Sequence, residues 1–236
     1  MLERQTLIVP GDKETTIAYC VDHLIKIAHE SIRDHGQFYI ALSGGSTPKA
    51  IYERLTTPPF SFEIDWSKVF LFWSDERSVP PSHPDSNYRM AMEAGLNKMA
   101  IPPSHIHRMR AEDDIEKNAE LYEKTIKDTL HAYPFDLIML GMGEDGHTAS
   151  LFPQTAALKE EKRWVVANYI DKMKTWRMTM TFPCINRARH IVLYIMGSSK
   201  KEIASKVLSH PDLYPSGKIG TPQNKALWIL DQDAQV

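Results

Sequence analysis

Only two cysteines occur in 236 residues, Cys20 and Cys184, and neither has a second cysteine nearby. That excludes a disulfide framework and a thiolate zinc cluster; one disulfide is conceivable, but two reduced thiols in a cytoplasmic protein fit better. Long apolar runs are missing too, since nothing approaches the roughly 20 consecutive apolar residues that a membrane-spanning helix needs. The opening stretch "MLERQTLIVPGDKE" has neither the apolar core nor the small-residue cleavage site of a secretory signal. Charge of one sign is equally scarce. The 28 Lys and Arg against 30 Asp and Glu leave a net charge of −2, which gives no general attraction to nucleic acid or an anionic membrane. With 42% hydrophobic residues the chain has enough apolar surface for a core, so disorder is excluded for most of it.

What is present is an alternation of strand and helix. "TLIVP" reads as a first strand. "DKETTIAYCVDHLIKIAHESIRDHG" reads as a long amphipathic helix, with Ile17, Val21, Leu24, Ile25 and Ala28 on one face and Gly36 as its stop. "QFYIALSGGS" is a strand ending in glycines before the helix "PKAIYERL", and "KVFLFWSDER" is a buried strand running into the proline-rich "SVPPSHPDSN". Helices are predicted over 87–99 and 114–131, and strands over 136–142, 164–170, 177–182 and 190–196. "SSKKEIASKVLSH" reads as a helix capped by Ser198 or Ser199, and "ALWILD" as the last strand. This order predicts an α/β fold: one domain over 1–236, a mostly parallel sheet with helices on both faces, and a lid-like insertion near 155–190. In such sheets ligands gather at the carboxyl ends of the strands, where three strands here run into "SGGSTP", "SDERSVP" and "GMGEDGHT".

The third turn satisfies G-x-G-x-x-G, the dinucleotide fingerprint, after an apolar run. Its content argues otherwise. Glu144 and Asp145 would oppose a pyrophosphate, Pro153 cuts short any following helix, and the acidic residue due near Glu161 falls in a solvated charged turn. Two carboxylates, three glycines and an imidazole in seven residues instead suggest a mount for His147 as general base, oriented by Asp145. In "SGGSTP", Ser43, Ser46 and Thr47 bring hydroxyls while Gly44 and Gly45 expose N–H groups before a helix, which suits a phosphate. A plain strand-to-helix turn fits that stretch equally well. It has neither the Gly-Lys-Ser/Thr ending of a P-loop nor the G-x-S-x-G of a serine hydrolase. In "SDERSVP", Arg77 is placed to clamp a phosphate or carboxylate, with Asp75 and Glu76 holding hydroxyls. His105-Ile106-His107 has no ligand partner at a zinc spacing, so no metal is assigned. The residues thus point to an α/β enzyme for a small phosphorylated, hydroxylated substrate, with no nicotinamide cofactor.

Taken in order, "LSGGSTPKAIYERL", "FWSDERSVPPSHPDSNYRM" and "FDLIMLGMGEDGHTASLFP" resemble the signature blocks of the 6-phosphogluconolactonase family. "RMTMTFPCINRARHIVLYIMGSSKK" and the terminal "ALWILDQDA" extend the resemblance over nearly the whole chain. It implies a Rossmann-like fold shared with glucosamine-6-phosphate deaminases and ribose-5-phosphate isomerases. It also implies metal-independent hydrolysis of 6-phospho-D-glucono-1,5-lactone to 6-phosphogluconate, in the oxidative pentose phosphate pathway. The partner expected is that small phosphosugar lactone, not nucleic acid or membrane, with the protein a monomer or weak homo-oligomer. By resemblance Arg77, Arg177 and Lys200 lie at the phosphate, Gly44, Gly45 and Ser46 line the same end, and Asp75 meets sugar hydroxyls or holds Arg77. Arg177 and Lys200 also fit the simpler role of solvated charges. The deaminases are the near alternative, but they typically read Asp-Glu-Tyr and Asp-Gly-His-Ile-Ala-Phe-Asn-Glu. This chain has Asp75-Glu76-Arg77, and Thr148-Ala149-Ser150-Leu151-Phe152 after its histidine. A non-catalytic phosphosugar sensor would bring a helix-turn-helix domain, for which nothing before the first strand leaves room.

Overall fold

Strand β1 (Gln5–Ile8) and helix α1 (Lys13–His35) open a computed structural model that describes residues 3–236; Met1 and Leu2, where the expected 1–236 domain begins, lie outside the described residues. The Asp12 carboxylate accepts the Thr15 N–H at 2.8 Å to start α1, and the Gly36 N–H donates to Ile32 C=O at 2.9 Å to end it. Val21, Leu24, Ile25 and Ala28 are buried as their spacing predicts, Cys20 is buried beside them, and Ile17 is partly covered. Each buried Val, Leu or Ile contributes on the order of 1.5–3 kcal/mol.

Strands β2 (Phe38–Leu42), β3 (Val69–Trp73), β5 (Leu137–Leu140), β8 (His190–Ile195) and β9 (Ala226–Leu230) join β1 in a six-stranded sheet. Its order is β1-β9-β8-β5-β2-β3, and every pairing is parallel. All of β2 and β5 is buried, the continuous apolar reading expected of strands covered on both faces.

Where the sequence suggested one strand through "KVFLFWSDER", the chain changes sheets at Ser74. Its N–H and Oγ both donate to Leu42 C=O, at 2.8 and 3.0 Å, and its own C=O accepts Met180 N–H at 2.8 Å. Beyond it β4 (Asp75–Arg77) pairs antiparallel with β7 (Thr175–Met180), which pairs antiparallel with β6 (Val165–Ile170). The 155–190 stretch thus supplies β6, β7 and the short α5 (Phe182–Ile185). It is fastened to α4 (Ile115–Leu130), where Glu123 Oε2 accepts Trp164 N–H at 2.8 Å and Val165 N–H at 3.2 Å.

Two helical expectations change. The predicted 87–99 helix stops as α3 at Asn87–Glu93, because Gly95 takes φ 110 and the next residues form a separate 3-10 turn. Neither Ser198 nor Ser199 caps α6 (Lys201–Ser209) through its side chain; Ser198–Lys200 form a 3-10 turn in which Lys200 N–H donates to Gly197 C=O at 2.9 Å. Cys20 and Cys184 are buried and unpaired, and burial pushes the Cys20 thiol up to about 12 and Cys184 higher still. Among the described residues no helix is long and apolar enough to cross a membrane.

Burial lowers the pKa values of His23 and His107, aided at His23 by His190 and at His107 by His105. The unfolded chain therefore binds more protons than the folded one below about pH 6.5, so stability rises with pH in that window and is flat above it. The thermal midpoint should hold steady from pH 8 to 7 and fall between 6.5 and 5, and His23→Gln should flatten that fall. A midpoint that does not move between pH 7 and 5 contradicts the assignment.

Candidate active site

The turns after β2 and β5, and the sheet change after β3, meet in one cleft of about 190 Å³. Gly44, Gly45, Asp75, Arg77, Asn87 and His147 stand in its wall. It lies at the carboxyl ends of adjacent parallel strands, as open α/β sheets require.

His147 is held by its own turn. Gly143 N–H donates to His147 C=O at 2.9 Å and Gly146 N–H to Gly143 C=O at 3.0 Å, which closes the loop on itself. Asp145 Oδ1 accepts both from His147 Nδ1, at 2.5 Å, and from His147 N–H, at 3.2 Å. The imidazole stacks on Phe152 with centroids 3.9 Å apart. Gly143 is the close-approach position, since a Cβ there would sit 2.1 Å from His147 Nδ1 and Cε1. With Nδ1–H given to the carboxylate, the neutral ring presents Nε2 as a lone-pair acceptor, and that atom has no protein partner among the described residues. The hydrogen bond from His147 holds the Asp145 carboxyl down at about 2, so it is ionised at any physiological pH. No helix follows His147; Thr148 and Leu151 form an isolated bridge instead. The dinucleotide geometry is therefore missing, as the sequence argued.

The Asp-Glu-Arg turn divides its labour. Asp75 lines the cleft with both oxygens engaged, Oδ1 by Asn87 Nδ2 at 3.1 Å and Oδ2 by Ser150 Oγ at 2.6 Å. Glu76, expected to hold substrate hydroxyls, is instead turned inward. It accepts Arg77 and Asn87 N–H at 2.8 Å, Tyr88 N–H at 2.9 Å and Ser86 Oγ at 3.0 Å, and burial raises its pKa in spite of them. Four donors leave little capacity for a ligand, so Glu76 organises the 77–87 loop.

Arg77 and Arg177 are register partners across β4 and β7, like charges directly opposite each other. Burial, then Arg77, depresses the Arg177 guanidinium below its usual pKa. Among the described residues neither forms an ion pair with a carboxylate; Arg77 Nη1 donates only to Asp85 C=O, at 2.6 Å. Ser46, the first residue of α2 (Ser46–Leu55), sits directly behind Gly45, while Lys200 is partly buried in the turn after β8, the strand beside β5. Ser46, Arg177 and Lys200 are outside the cleft wall itself.

The sequence pattern of the glucosamine-6-phosphate isomerases/6-phosphogluconolactonase family matches residues 11–228. A 6-phosphogluconolactonase of Chlamydia muridarum is 41% identical over 230 residues, covering 96% of this chain and 88% of that one. The chain belongs to the 6-phosphogluconolactonase family. Among solved structures, the 6-phosphogluconolactonase from Trypanosoma cruzi superposes with a TM-score of 0.88 at 30% identity, covering 99% of this chain and 97% of that one. A monomeric glucosamine-6-phosphate deaminase superposes with a TM-score of 0.81 over 98% of both chains, and at 18% identity that likeness concerns the fold alone.

The structure also brings to this cleft residues that sequence reading passed over. Asn168 Nδ2 donates to Ser150 C=O at 2.9 Å, Ser150 N–H donates to Thr179 Oγ1 at 3.1 Å, and Ser150 Oγ reaches Asp75. This chain of bonds ties the small sheet to both the His147 turn and the Asp75 turn. Asn168 carries no local motif, so only the tertiary pairing reveals it, and Ser150 was quoted only as part of the stretch after His147. Asn87 and Phe152 stood inside quoted blocks, Asn87 as the first residue of the predicted 87–99 helix and Phe152 as part of a turn.

Proposed function

We infer that this protein hydrolyses 6-phospho-D-glucono-1,5-lactone to 6-phosphogluconate, the lactone-opening step of the pentose phosphate pathway. The observation that carries it is the unpartnered Nε2 of an Asp145-held His147 in a cleft shared with Asp75 and Arg77. A δ-lactone is an activated ester, so a positioned base and a bound phosphate suffice. Nε2 takes a proton from the attacking water as its oxygen bonds to C1, and returns it to the ring oxygen as the C1–O bond breaks. Asp145 stabilises the imidazolium formed between those steps. The N–H groups of Gly143 and Gly146 are spent inside the turn, whereas those of Gly44 and Gly45 meet no protein acceptor among the described residues. An anionic part of the substrate is their natural partner, at the N-terminus of α2. A cytoplasmic location fits the two buried free thiols.

The direct test generates the lactone in situ with glucose-6-phosphate dehydrogenase and follows acid release. Acceleration above spontaneous opening is expected, and its absence would end this reading.

A phosphate between Arg77 and Arg177 would relieve their mutual repulsion. Arg77→Ala and Arg177→Ala should each weaken 6-phosphogluconate by roughly tenfold or more, as loss of a charge-assisted bond does, and barely change unphosphorylated gluconate. Without ligand, Arg77→Ala should melt no lower than the wild type, because it removes a like-charge pair. Equal losses for both acids would count against the phosphate clamp.

A further inference from the structure

Asn87 is 2% exposed, stands in the cleft wall, and has an amide whose orientation is fixed by its surroundings. Its Nδ2 donates to Asp75 C=O at 3.0 Å and to Asp75 Oδ1 at 3.1 Å. Both are acceptors only, so a flipped amide would set oxygen against oxygen twice. Its backbone N–H donates to Glu76 Oε1 at 2.8 Å, which pins the residue from a second side. That leaves Oδ1, which accepts no hydrogen bond from any described residue. It lies over Gly44, where a Cβ would stand 1.9 Å from it, so only a glycine there leaves the oxygen its place beside the anion-binding turn.

The cleft is rich in donors, namely the Arg77 guanidinium and the Gly44 and Gly45 N–H groups, and has few free acceptors besides His147 Nε2, which serves the attacking water. Asp75 already takes a bond on each oxygen. A polyhydroxylated ligand brings O–H donors that need acceptors, and a fixed amide oxygen discriminates among them by position. We propose that Asn87 is a specificity-determining residue whose Oδ1 accepts a hydrogen bond from one hydroxyl of the phosphosugar. The proposal rests on the lactonase reading above.

The test first confirms lactone hydrolysis by the wild type, then measures competitive inhibition by 6-phosphogluconate and its 2-, 3- and 4-deoxy counterparts. One deoxy acid should bind the wild type roughly five- to tenfold more weakly than the parent, the cost of one hydrogen bond. That same penalty should vanish in Asn87→Ala, while the penalties for the other deoxy acids persist. Should Asn87→Ala fail to fold, Asn87→Ser is read the same way. Ser150→Ala, which frees the other oxygen of Asp75, should keep the penalty in place. A uniform loss for all four acids in the Asn87 variant gives it a structural role only and overturns the proposal. So does disappearance of the same penalty in Ser150→Ala, which would assign the hydroxyl to Asp75. A wild type that does not accelerate lactone opening defeats the lactonase reading instead.

Discussion

Replacing His147 with alanine should lower kcat for lactone hydrolysis by about 10²–10⁴-fold, the usual cost of losing a general base. Affinity for 6-phosphogluconate should stay close to that of the wild type. The split follows from where the groups stand. The imidazole gives Nδ1–H to Asp145 at 2.5 Å and has its free Nε2 in the cleft, whereas the anion-binding groups belong to other turns. Losing an interaction made only in the transition state lowers kcat without touching ground-state binding. Asp145→Asn should move in the same direction. An amide at 145 can still be donated to, but it no longer carries the charge that stabilises an imidazolium, and its pull on the tautomer is lost. Because δ-lactones open spontaneously, each rate is compared with the buffer alone. A His147→Ala enzyme that retained near-wild-type kcat would transfer the proton step to another group. A protein that bound phosphosugar but showed no rate to lose would be a sensor rather than an enzyme.

The parallel sheet was legible because its strands are buried on both faces and read as apolar runs, "FYIAL" and "LIML" among them. The convergence of three turns followed from that alone, since parallel strands end at one rim. Local chemistry was legible where its partner is two residues away, as with Asp145 and His147. It was illegible where the partner is distant. Nothing in "DER" says that the chain leaves one sheet for another at Ser74, because that change is fixed by Leu42 and Met180, which lie 32 residues before it and 106 after it. The same limit misassigned Glu76, whose four donors come from its neighbour and from the start of a helix about ten residues on. It also hid Asn87, Ser150 and Asn168, which are polar residues buried by contacts between segments distant in sequence.

Gly143→Ala should cost nearly as much turnover as losing His147, with the fold retained. Gly143 has no positive φ, so the backbone itself accepts an alanine. The obstacle is the imidazole, 2.1 Å from where the new Cβ would stand and locked between Asp145 and Phe152. The turn cannot easily swing away, because the Gly143 N–H is bonded to His147 C=O and Gly146 N–H to Gly143 C=O. The side chain is the softer element, so the ring leaves its place. Its departure removes the hydrogen bond that holds Asp145 at about 2, and the Asp145 carboxyl should titrate nearer its ordinary value in a carboxyl-resolved NMR experiment. Two groups acting as a unit are not additive, so Gly143→Ala combined with His147→Ala should lose no more than His147→Ala alone. Gly141 supplies the contrast within the same G-x-G-x-x-G. A Cβ there meets nothing within 4 Å, so Gly141→Ala should leave the His147–Asp145 pair and the low Asp145 pKa intact. If Gly141→Ala disturbed that pair as much as Gly143→Ala does, the glycines would be serving general loop flexibility. If only Gly143→Ala does, the spacing serves the placement of one imidazole, and its likeness to a dinucleotide fingerprint is a coincidence of tight turns.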